Sequence, residues 1–401
     1  MVDKSQKLSW QSRDLIATIM LIMSVLSLLQ TGNSGIQGFI AATDKPSAIY
    51  GDFHDYYYPA GRMISRVAQP LGGYFYTPSF ALLLPPFTPD SYELASIRWQ
   101  LLQHFGIFLL LFVPAIWLAA RGGRKIWFFL YLLIFLLSFP LWHNLKWGQM
   151  SVIITMASIA ALLLHERGHY WFAAMALTVA ILIKYYPALF VIYFIIRKDF
   201  AFIGRMALCL LLAGFVFPAS ILGAATTIEF YRLVNAELAY AFDWVAFDPN
   251  SQFLPNVALR VIGIDPESSL RGFLSLPGLA VCLAMFWRMR RLASGRQHDH
   301  ILTASGIFLL YPLLINTSWP HYFIYLPFCA VILLQNTTSC WQKAVIFIAI
   351  MLQSCLIVPF TGHLWYSGKG LLLAANLLLL AIWFKKTSPG SDPDGQTPEV
   401  F

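Results

Sequence analysis

The sequence predicts an all-α, polytopic membrane protein, and composition, hydropathy and charge placement all support this class. Of 401 residues, 58% are hydrophobic and 11% are charged, and the mean hydropathy is +0.66. A soluble globular domain carries roughly twice this charged fraction. Apolar runs separated by short basic segments fill most of the chain, which is typical of helices that cross a bilayer.

The lysines and arginines indicate how the chain is oriented. If each apolar run crosses once, most of the 27 basic residues fall in short loops on one side, which the positive-inside rule makes cytoplasmic. They are Lys4, Lys7, Arg13, Arg121, Arg124, Lys125, Arg167, Arg197, Lys198, Arg205, Arg288, Arg290, Arg291, Arg296, Lys343, Lys385 and Lys386. We therefore predict an integral inner-membrane protein with both termini in the cytoplasm. The net charge of +8 then needs no nucleic-acid partner.

We predict about twelve spans, several shorter than the roughly 20 residues that a crossing helix needs. They cover residues 14–30, 95–119, 126–141, 149–164, 170–183, 187–196, 201–222, 271–290, 300–316, 321–335, 343–360 and 369–384. The first resembles a signal peptide but lacks a small-residue cleavage site, which predicts an uncleaved span. The run 170–196 has basic loops at both ends, so it must turn back at Lys184-Tyr185-Tyr186-Pro187, where proline interrupts a helix.

One membrane domain is predicted over residues 1–386, with large outer loops at 31–94 and 223–270. Within the first loop, residues 76–87 are apolar but short and rich in proline, so we expect a re-entrant or interfacial element packed on protein. Residues 53–67 place apolar side chains at helical intervals, which predicts a helix lying on the membrane surface.

The sequence carries no familiar cofactor signature. Its five cysteines form no Cys-x-x-Cys pair, so neither a disulfide framework nor a thiolate metal site is predicted. It has no Walker loop and no Gly-x-Gly-x-x-Gly after a strand. Asp-x-Asp, which commonly holds a metal in nucleotide-sugar enzymes, occurs only at Asp392-Pro393-Asp394, in a Pro/Gly/Asp-rich stretch, 387–401, typical of a disordered tail. A sugar donor, if one is used, is therefore expected to be membrane-borne.

Two carboxylates, Asp52 and Asp55, interrupt the apolar character of the first loop. Residues three apart on a helix share a face, so this pair is a candidate general base or cation ligand. The structural alternative is that Asp52 caps the following helix while Asp55 suits its first turn.

Basic side chains are predicted on the same outer face: Arg62, Arg66, His143, Lys146, Lys184, Arg260 and His321. A carboxylate that takes a hydroxyl proton, with cations around a departing phosphate, is what transfer from a phosphate-linked donor requires. Each also has a structural interpretation. Lys184 and Lys146 could anchor at the lipid headgroups, and Arg260 could pair with Asp265. His321 could simply begin a helix.

Several short motifs also follow one another in a defined order. They are Asp52-Phe53-x-x-Tyr56, Ala60-Gly61, Tyr76-Thr77-Pro78-x-Phe80-Ala81-Leu82-Leu83, Gly148-Gln149-Met150-Ser151, Leu182-Ile183-Lys184-Tyr185-Tyr186-Pro187, Asn250-Ser251-Gln252 and Trp319-Pro320-His321. From about residue 50 to 330 the chain thereby resembles glycosyltransferase family 87. That family comprises polyprenol-phosphate-mannose-dependent α-mannosyltransferases of the GT-C superfamily.

The resemblance implies a GT-C-type bundle of about twelve helices with its active site on the outer, periplasmic face. It implies inverting transfer of a hexose, most simply mannose, from a polyprenyl phosphate to a hydroxyl of a lipid-linked or cell-envelope glycan. The partners would then be membrane lipids, the polyprenyl-phosphate sugar and a glycan or glycolipid acceptor. A monophosphate leaving group flanked by cations does not demand a metal, so no metal or other cofactor is predicted.

The resemblance also assigns residues. Asp52 matches the family's general base, with Asp55 as the second candidate, and His321 matches a histidine important for activity. Lys184 matches the lysine before the aromatic-proline turn. From the cations predicted on the outer face, we assign Lys184, Arg260 and Lys146 to the donor phosphate. The substrate groove is assigned to Tyr56, Tyr57, Tyr76, Gln149, Tyr185, Asn250 and Trp319.

Two other classes are alternatives. A transporter or lipid flippase also uses broken helices and acidic residues, but a carrier places its acids near mid-membrane, whereas Asp52 and Asp55 are predicted in an outer loop. A non-catalytic scaffold of an assembly complex would tolerate loss of Asp52.

Overall fold

The computed structural model describes residues 50–67, 69–70, 72–266, 268–293 and 299–388. This part of the chain is helical and contains no β-strand, which confirms the predicted all-α class for the described residues. Its α-helices are Tyr58–Val67, Pro78–Leu83, Tyr92–Arg121, Ile126–Leu136, Phe139–Trp147, Ser151–Glu166, Tyr170–Ile183, Leu189–Ile196, Phe200–Leu210, Phe217–Leu222, Ala224–Trp244, Leu254–Ile262, Leu270–Ala293, His300–Leu309, Tyr311–Leu314, Leu326–Gln335, Cys340–Leu352, Val358–Thr361, His363–Gly368 and Leu371–Lys386. The predicted first span, 14–30, and residues 389–401 of the predicted tail lie outside the described residues.

Three described helical stretches are long and apolar enough to cross a membrane: Tyr92–Arg121, Phe200–Leu222 and Leu270–Leu292. Seven further apolar helices span only 10–17 residues. The predicted count of about twelve spans is therefore not confirmed, although the membrane class is supported. A proline interrupts one predicted span, because Pro312 lies at the start of a new helical segment, Tyr311–Leu314, inside the run 300–316.

The first-loop segment packs onto the long helix Tyr92–Arg121. Residues Phe53–Tyr57 form one turn of π-helix that continues into Tyr58–Val67. Phe53 is fully buried and stacks on Trp99, with ring centroids 4.5 Å apart and planes 17° apart. This aromatic contact holds the predicted loop helix against protein.

The backbone breaks at Lys184, where the chain was predicted to turn back. Helices Ser151–Glu166 and Tyr170–Ile183 pack side by side, and the second ends where Lys184 adopts an extended conformation. A 3-10 turn, Tyr186–Ala188, with Pro187 inside it, then starts the next helix. The Lys184 side chain therefore projects from a break between two helices.

The predicted second outer loop, 223–270, is largely helical. Helix Ala224–Trp244 and the short amphipathic helix Leu254–Ile262 occupy most of it. The turn between them carries Asp248, Asn250 and Ser251. This turn contacts the residues just before the segment Pro320–Tyr325, since Gln252 N donates to the Ser318 carbonyl oxygen.

Candidate active site

A glycine turn places Gln149 beside the first loop. Gly148 ends helix Phe139–Trp147 with φ of +65°, and a Cβ there would lie 2.8 Å from the Tyr50 Cβ. Its carbonyl oxygen accepts a hydrogen bond of 2.8 Å from Trp99 Nε1. Only glycine combines this left-handed backbone with so close an approach, so the turn determines where Gln149 points.

The Gln149 side chain joins the predicted base to the predicted phosphate ligand. Its Nε2 donates to the Asp52 carboxylate. Its Oε1 accepts from Lys184 Nζ at 3.1 Å and from the Tyr57 hydroxyl at 2.9 Å. The Tyr76 hydroxyl lies 3.4 Å from the same oxygen. One buried amide therefore brings an acid and an amine that lie far apart in the sequence to the same place.

Lys184 is only 5% exposed and is surrounded by aromatic rings. Its Nζ lies 4.6 Å from the ring centre of Tyr322, 5.3 Å from that of Tyr76 and 5.8 Å from that of Trp319. Ring faces attract a cation but supply no hydrogen bond. Among the described residues the ammonium donates a hydrogen bond to Gln149, so an anion entering beside it would find further donors available.

Asp52 lies at the start of the π-turn, and no cap hydrogen bond from its side chain is present. The predicted capping interpretation is therefore not supported by the geometry. Burial raises the pKa of the Asp52 carboxyl to about 6, although Lys184 and the hydrogen bond from Gln149 act in the opposite direction. A carboxyl with such a pKa is a better proton acceptor than an exposed aspartate.

Asp55 does not share this environment. Its side chain is exposed, and its Oδ1 lies 2.7 Å from His54 Nδ1. The expectation that Asp52 and Asp55 share one helix face assumed an α-helix. The π-turn has more residues in each turn, so side chains three apart diverge.

A second pair of groups is formed by two histidines. The Nδ1 atoms of His143 and His321 are 3.2 Å apart, and their rings are nearly parallel at 25°. Two such nitrogens share one hydrogen, so one imidazole donates and the other accepts. His321 is 2% exposed, and its Nε2 has no hydrogen-bond partner among the described residues. This nitrogen is available to a bound group.

These side chains surround a cavity of about 280 Å³. It is lined by Asp52, Tyr56, Gly73, Phe75, Tyr76, His143, Trp147, Gln149, Lys184, Trp244, Asp248, Asn250, Trp319 and His321. Aromatic walls with a few converging polar groups are typical of small-molecule sites. Most residues that the sequence assigned to the site meet here.

Some assigned residues lie elsewhere. Arg260 donates to the carbonyl oxygens of Asp248, Ser251 and Gly368, so it holds the turn rather than lining the cavity. The Lys146 Nζ lies 5.2 Å from the ring centre of Trp147, also outside the lining. Two tyrosines contribute indirectly. The Tyr57 hydroxyl donates to Gln149 Oε1, and the Tyr185 hydroxyl lies 3.2 Å from Thr317 Oγ1.

Asp248 and Trp244 line the cavity although sequence reasoning missed them. The Asp248 carboxylate accepts from Trp319 Nε1 at 2.7 Å and from the Asn250 backbone N–H at 2.8 Å. It therefore orients the indole of Trp319. One sequence feature pointed to Asp248. It lies two residues before Asn250, the first residue of the motif Asn250-Ser251-Gln252.

A second, larger cavity of about 550 Å³ adjoins the first. It is almost wholly apolar and is lined by Ser79, Phe80, Leu83, Leu84, Phe87, Trp99, Leu102, Met150, Met175, Thr178, Val179, Leu182, Ile183, Cys209, Leu212, Ala213 and Phe217. Neighbouring residues line different cavities. Gln149 and Lys184 line the polar cavity, whereas Met150 and Ile183, next to them in the chain, line the apolar one. The two cavities therefore lie on either side of these backbone segments.

The chain thus combines helices suited to a membrane with a cavity where a carboxylate, an amine and imidazoles converge. The model of glycosyltransferase family 87 matches residues 74–317, and the chain belongs to this family. It is therefore a membrane glycosyltransferase. The matched range includes Tyr76, Gln149, Lys184 and Asn250, whereas Asp52 and His321 lie outside it. No curated protein and no solved structure matches the chain.

Proposed function

We propose that this glycosyltransferase moves a hexose, mannose in the first instance, from a polyprenyl monophosphate to a hydroxyl of a lipid-linked or cell-envelope glycan. The observation that carries the proposal is the meeting of Asp52 and Lys184 at one amide, Gln149. Acid–base work on a hydroxyl and charge stabilisation of a phosphate are the two tasks of such a reaction. The reaction would take place at the periplasmic face, as the basic loops predict.

Asp52 is the proposed general base. Gln149 holds one carboxylate oxygen, which leaves the other to take the proton of the acceptor hydroxyl. The acceptor oxygen then bonds to the anomeric carbon as the bond from that carbon to the phosphate oxygen breaks. Attack from the face opposite the leaving group converts a β-linked donor into an α-linked product.

Lys184 and His321 are the proposed partners of the leaving phosphate. Both line the polar cavity, and the ammonium has hydrogens beyond the one given to Gln149. The charge that develops on the phosphate is then stabilised by groups already in place. Arg260 and Lys146 were predicted to share this role, but the geometry favours Lys184 and His321. The proposal invokes no metal, since the ammonium already supplies positive charge.

The apolar cavity suits the isoprenoid tail of the donor. Its walls come from the proline-bounded first-loop element and from helices that include Tyr170–Ile183 and Phe200–Leu210. Apolar walls stabilise a hydrocarbon chain by roughly 25 cal/mol per Å² of surface removed from water. A donor seated with its tail here would present its phosphate beside Ile183 and Lys184.

The direct test uses purified protein in lipid nanodiscs with labelled polyprenyl-phosphate-mannose and a glycolipid acceptor mixture. We expect an α-linked mannosyl product, because the site combines a base, a phosphate ligand and an apolar groove. Polyprenyl-phosphate-glucose serves as the matched donor. Transfer of glucose but not mannose would contradict mannose as the sugar while retaining a polyprenyl-phosphate donor. Transfer only from a nucleotide sugar would contradict the polyprenyl-phosphate donor itself.

The acidity of Asp52 predicts a pH dependence. The base must be ionised to accept a proton, and its raised pKa lies at about 6. We therefore expect kcat/KM for the donor, measured with saturating acceptor, to rise with pH through this value. Burial lowers the pKa of the Lys184 ammonium to about 7, so kcat/KM should fall again at higher pH as that charge is lost. Asp55→Asn should keep the same acidic limb. A wild-type profile that stays flat across the mildly acidic range would contradict the assignment.

A further inference from the structure

A third cavity, of about 370 Å³, lies away from the active site. It is formed by the last turns of helices Leu270–Ala293 and Leu371–Lys386 and is lined by Ala284, Trp287, Arg288, Ala381, Phe384, Lys385 and Ser388. It shares no lining residue with either of the other two cavities. Neither the family nor the proposed reaction gives it a role.

Arg288 is the unusual residue of this cavity. Its side chain is only 7% exposed, yet its Nε and one terminal nitrogen, Nη2, have no hydrogen-bond partner among the described residues. Among the described residues that line the cavity, none is acidic. Burial of a guanidinium without an anion is unfavourable because its lost hydration is not replaced, so a bound partner is expected.

The neighbouring groups add positive charge. Lys385 lines the cavity from the second helix. The Arg291 guanidinium lies 3.6 Å from the ring centre of Trp287, which is itself in the wall. Helix C-termini favour basic residues through the helix dipole, but this preference provides no acceptor for the two guanidinium nitrogens of Arg288. An anionic ligand would provide one.

The remaining walls indicate which anion. Trp287 is 53% exposed, and Phe384, Ala284 and Ala381 are apolar. The cavity therefore combines two basic side chains with an apolar, partly exposed wall. Tryptophan and basic residues are enriched where a membrane meets water. Guanidinium groups bind phosphate oxygens through paired hydrogen bonds.

We propose that this cavity binds the phosphate of an anionic phospholipid headgroup, with Arg288 as its main ligand and Lys385 as a second cation. The basic ends of these two helices fall on the side that charge placement makes cytoplasmic. Anionic lipid would thereby tie the ends of the two helices together. This proposal is independent of the identity of the sugar donor.

The test compares wild type, Arg288→Gln and Arg290→Gln. Arg290 is exposed on the same helix, so its variant removes an equal charge without touching the cavity. In detergent, we expect phosphatidylglycerol to raise the unfolding temperature of wild type and Arg290→Gln. Native mass spectrometry should show retained phosphatidylglycerol in both, and binding weakened at least about tenfold in Arg288→Gln.

Three controls make the result decisive. Without lipid, Arg288→Gln should unfold no earlier than wild type, because it removes an unpaired buried charge; earlier unfolding would overturn the proposal. Inorganic phosphate that stabilises as well as phosphatidylglycerol would show a free-anion site instead. Binding that appears only after Asp392→Asn and Asp394→Asn would identify the chain's own last residues as the occupant. Equal binding of phosphatidylglycerol by wild type and Arg288→Gln would also overturn the proposed lipid site.

Discussion

Replacement of Asp52 by asparagine should lower kcat for sugar transfer by roughly two or more orders of magnitude. Asparagine keeps the shape and can still contact Gln149, but it cannot accept the proton of the acceptor hydroxyl. The measurement is single-turnover transfer from the labelled donor, with donor binding followed in parallel. Binding should change little, because Asp52 is not a proposed ligand of the phosphate.

Asp55→Asn is the matched control for this variant. It removes the same charge three residues away, from an exposed side chain paired with His54. We expect its transfer rate to stay within a few-fold of wild type. If Asp55→Asn abolishes transfer while Asp52→Asn remains active, the base has been assigned to the wrong carboxylate.

Replacement of Lys184 by glutamine should lower kcat by about 10²–10³, since one preorganised group that stabilises developing charge is worth this much. Glutamine can keep a hydrogen bond to Gln149 while losing the charge. The variant has a second expected signature. Lys184 lowers the pKa of the Asp52 carboxyl, so its removal should move the acidic limb of the residual activity to higher pH.

Lys146→Gln is the comparison for Lys184. Lys146 carries the same charge and was predicted on the same face, but its ammonium lies against Trp147 outside the cavity. Its loss should leave both the rate and the acidic limb close to wild type. A Lys184→Gln enzyme with an unchanged pH profile would show that the ammonium does not act on Asp52.

Local sequence features were sufficient for several parts of the site. Pro187 and the two flanking basic loops required a turn at Lys184, and the backbone breaks there. Such features act within a few residues, so they can be read without knowing what packs nearby.

Contacts between distant segments decided the rest. The π-turn separates Asp55 from Asp52, and Arg260 binds the carbonyl oxygens of a turn instead of facing the cavity. Asp248 gains its role from Trp319, which lies far along the chain. None of these partners is specified by spacing along the sequence.

The sequence by itself determined the class of protein, because apolar composition and basic loops reflect the bilayer as a solvent, which acts on each segment separately. It also determined which polar residues were available for chemistry. Only the tertiary structure decided which of them meet. A hydrogen bond requires its atoms to lie within about 3 Å of each other, and the folded chain alone brings Asp52, Gln149 and Lys184 that close.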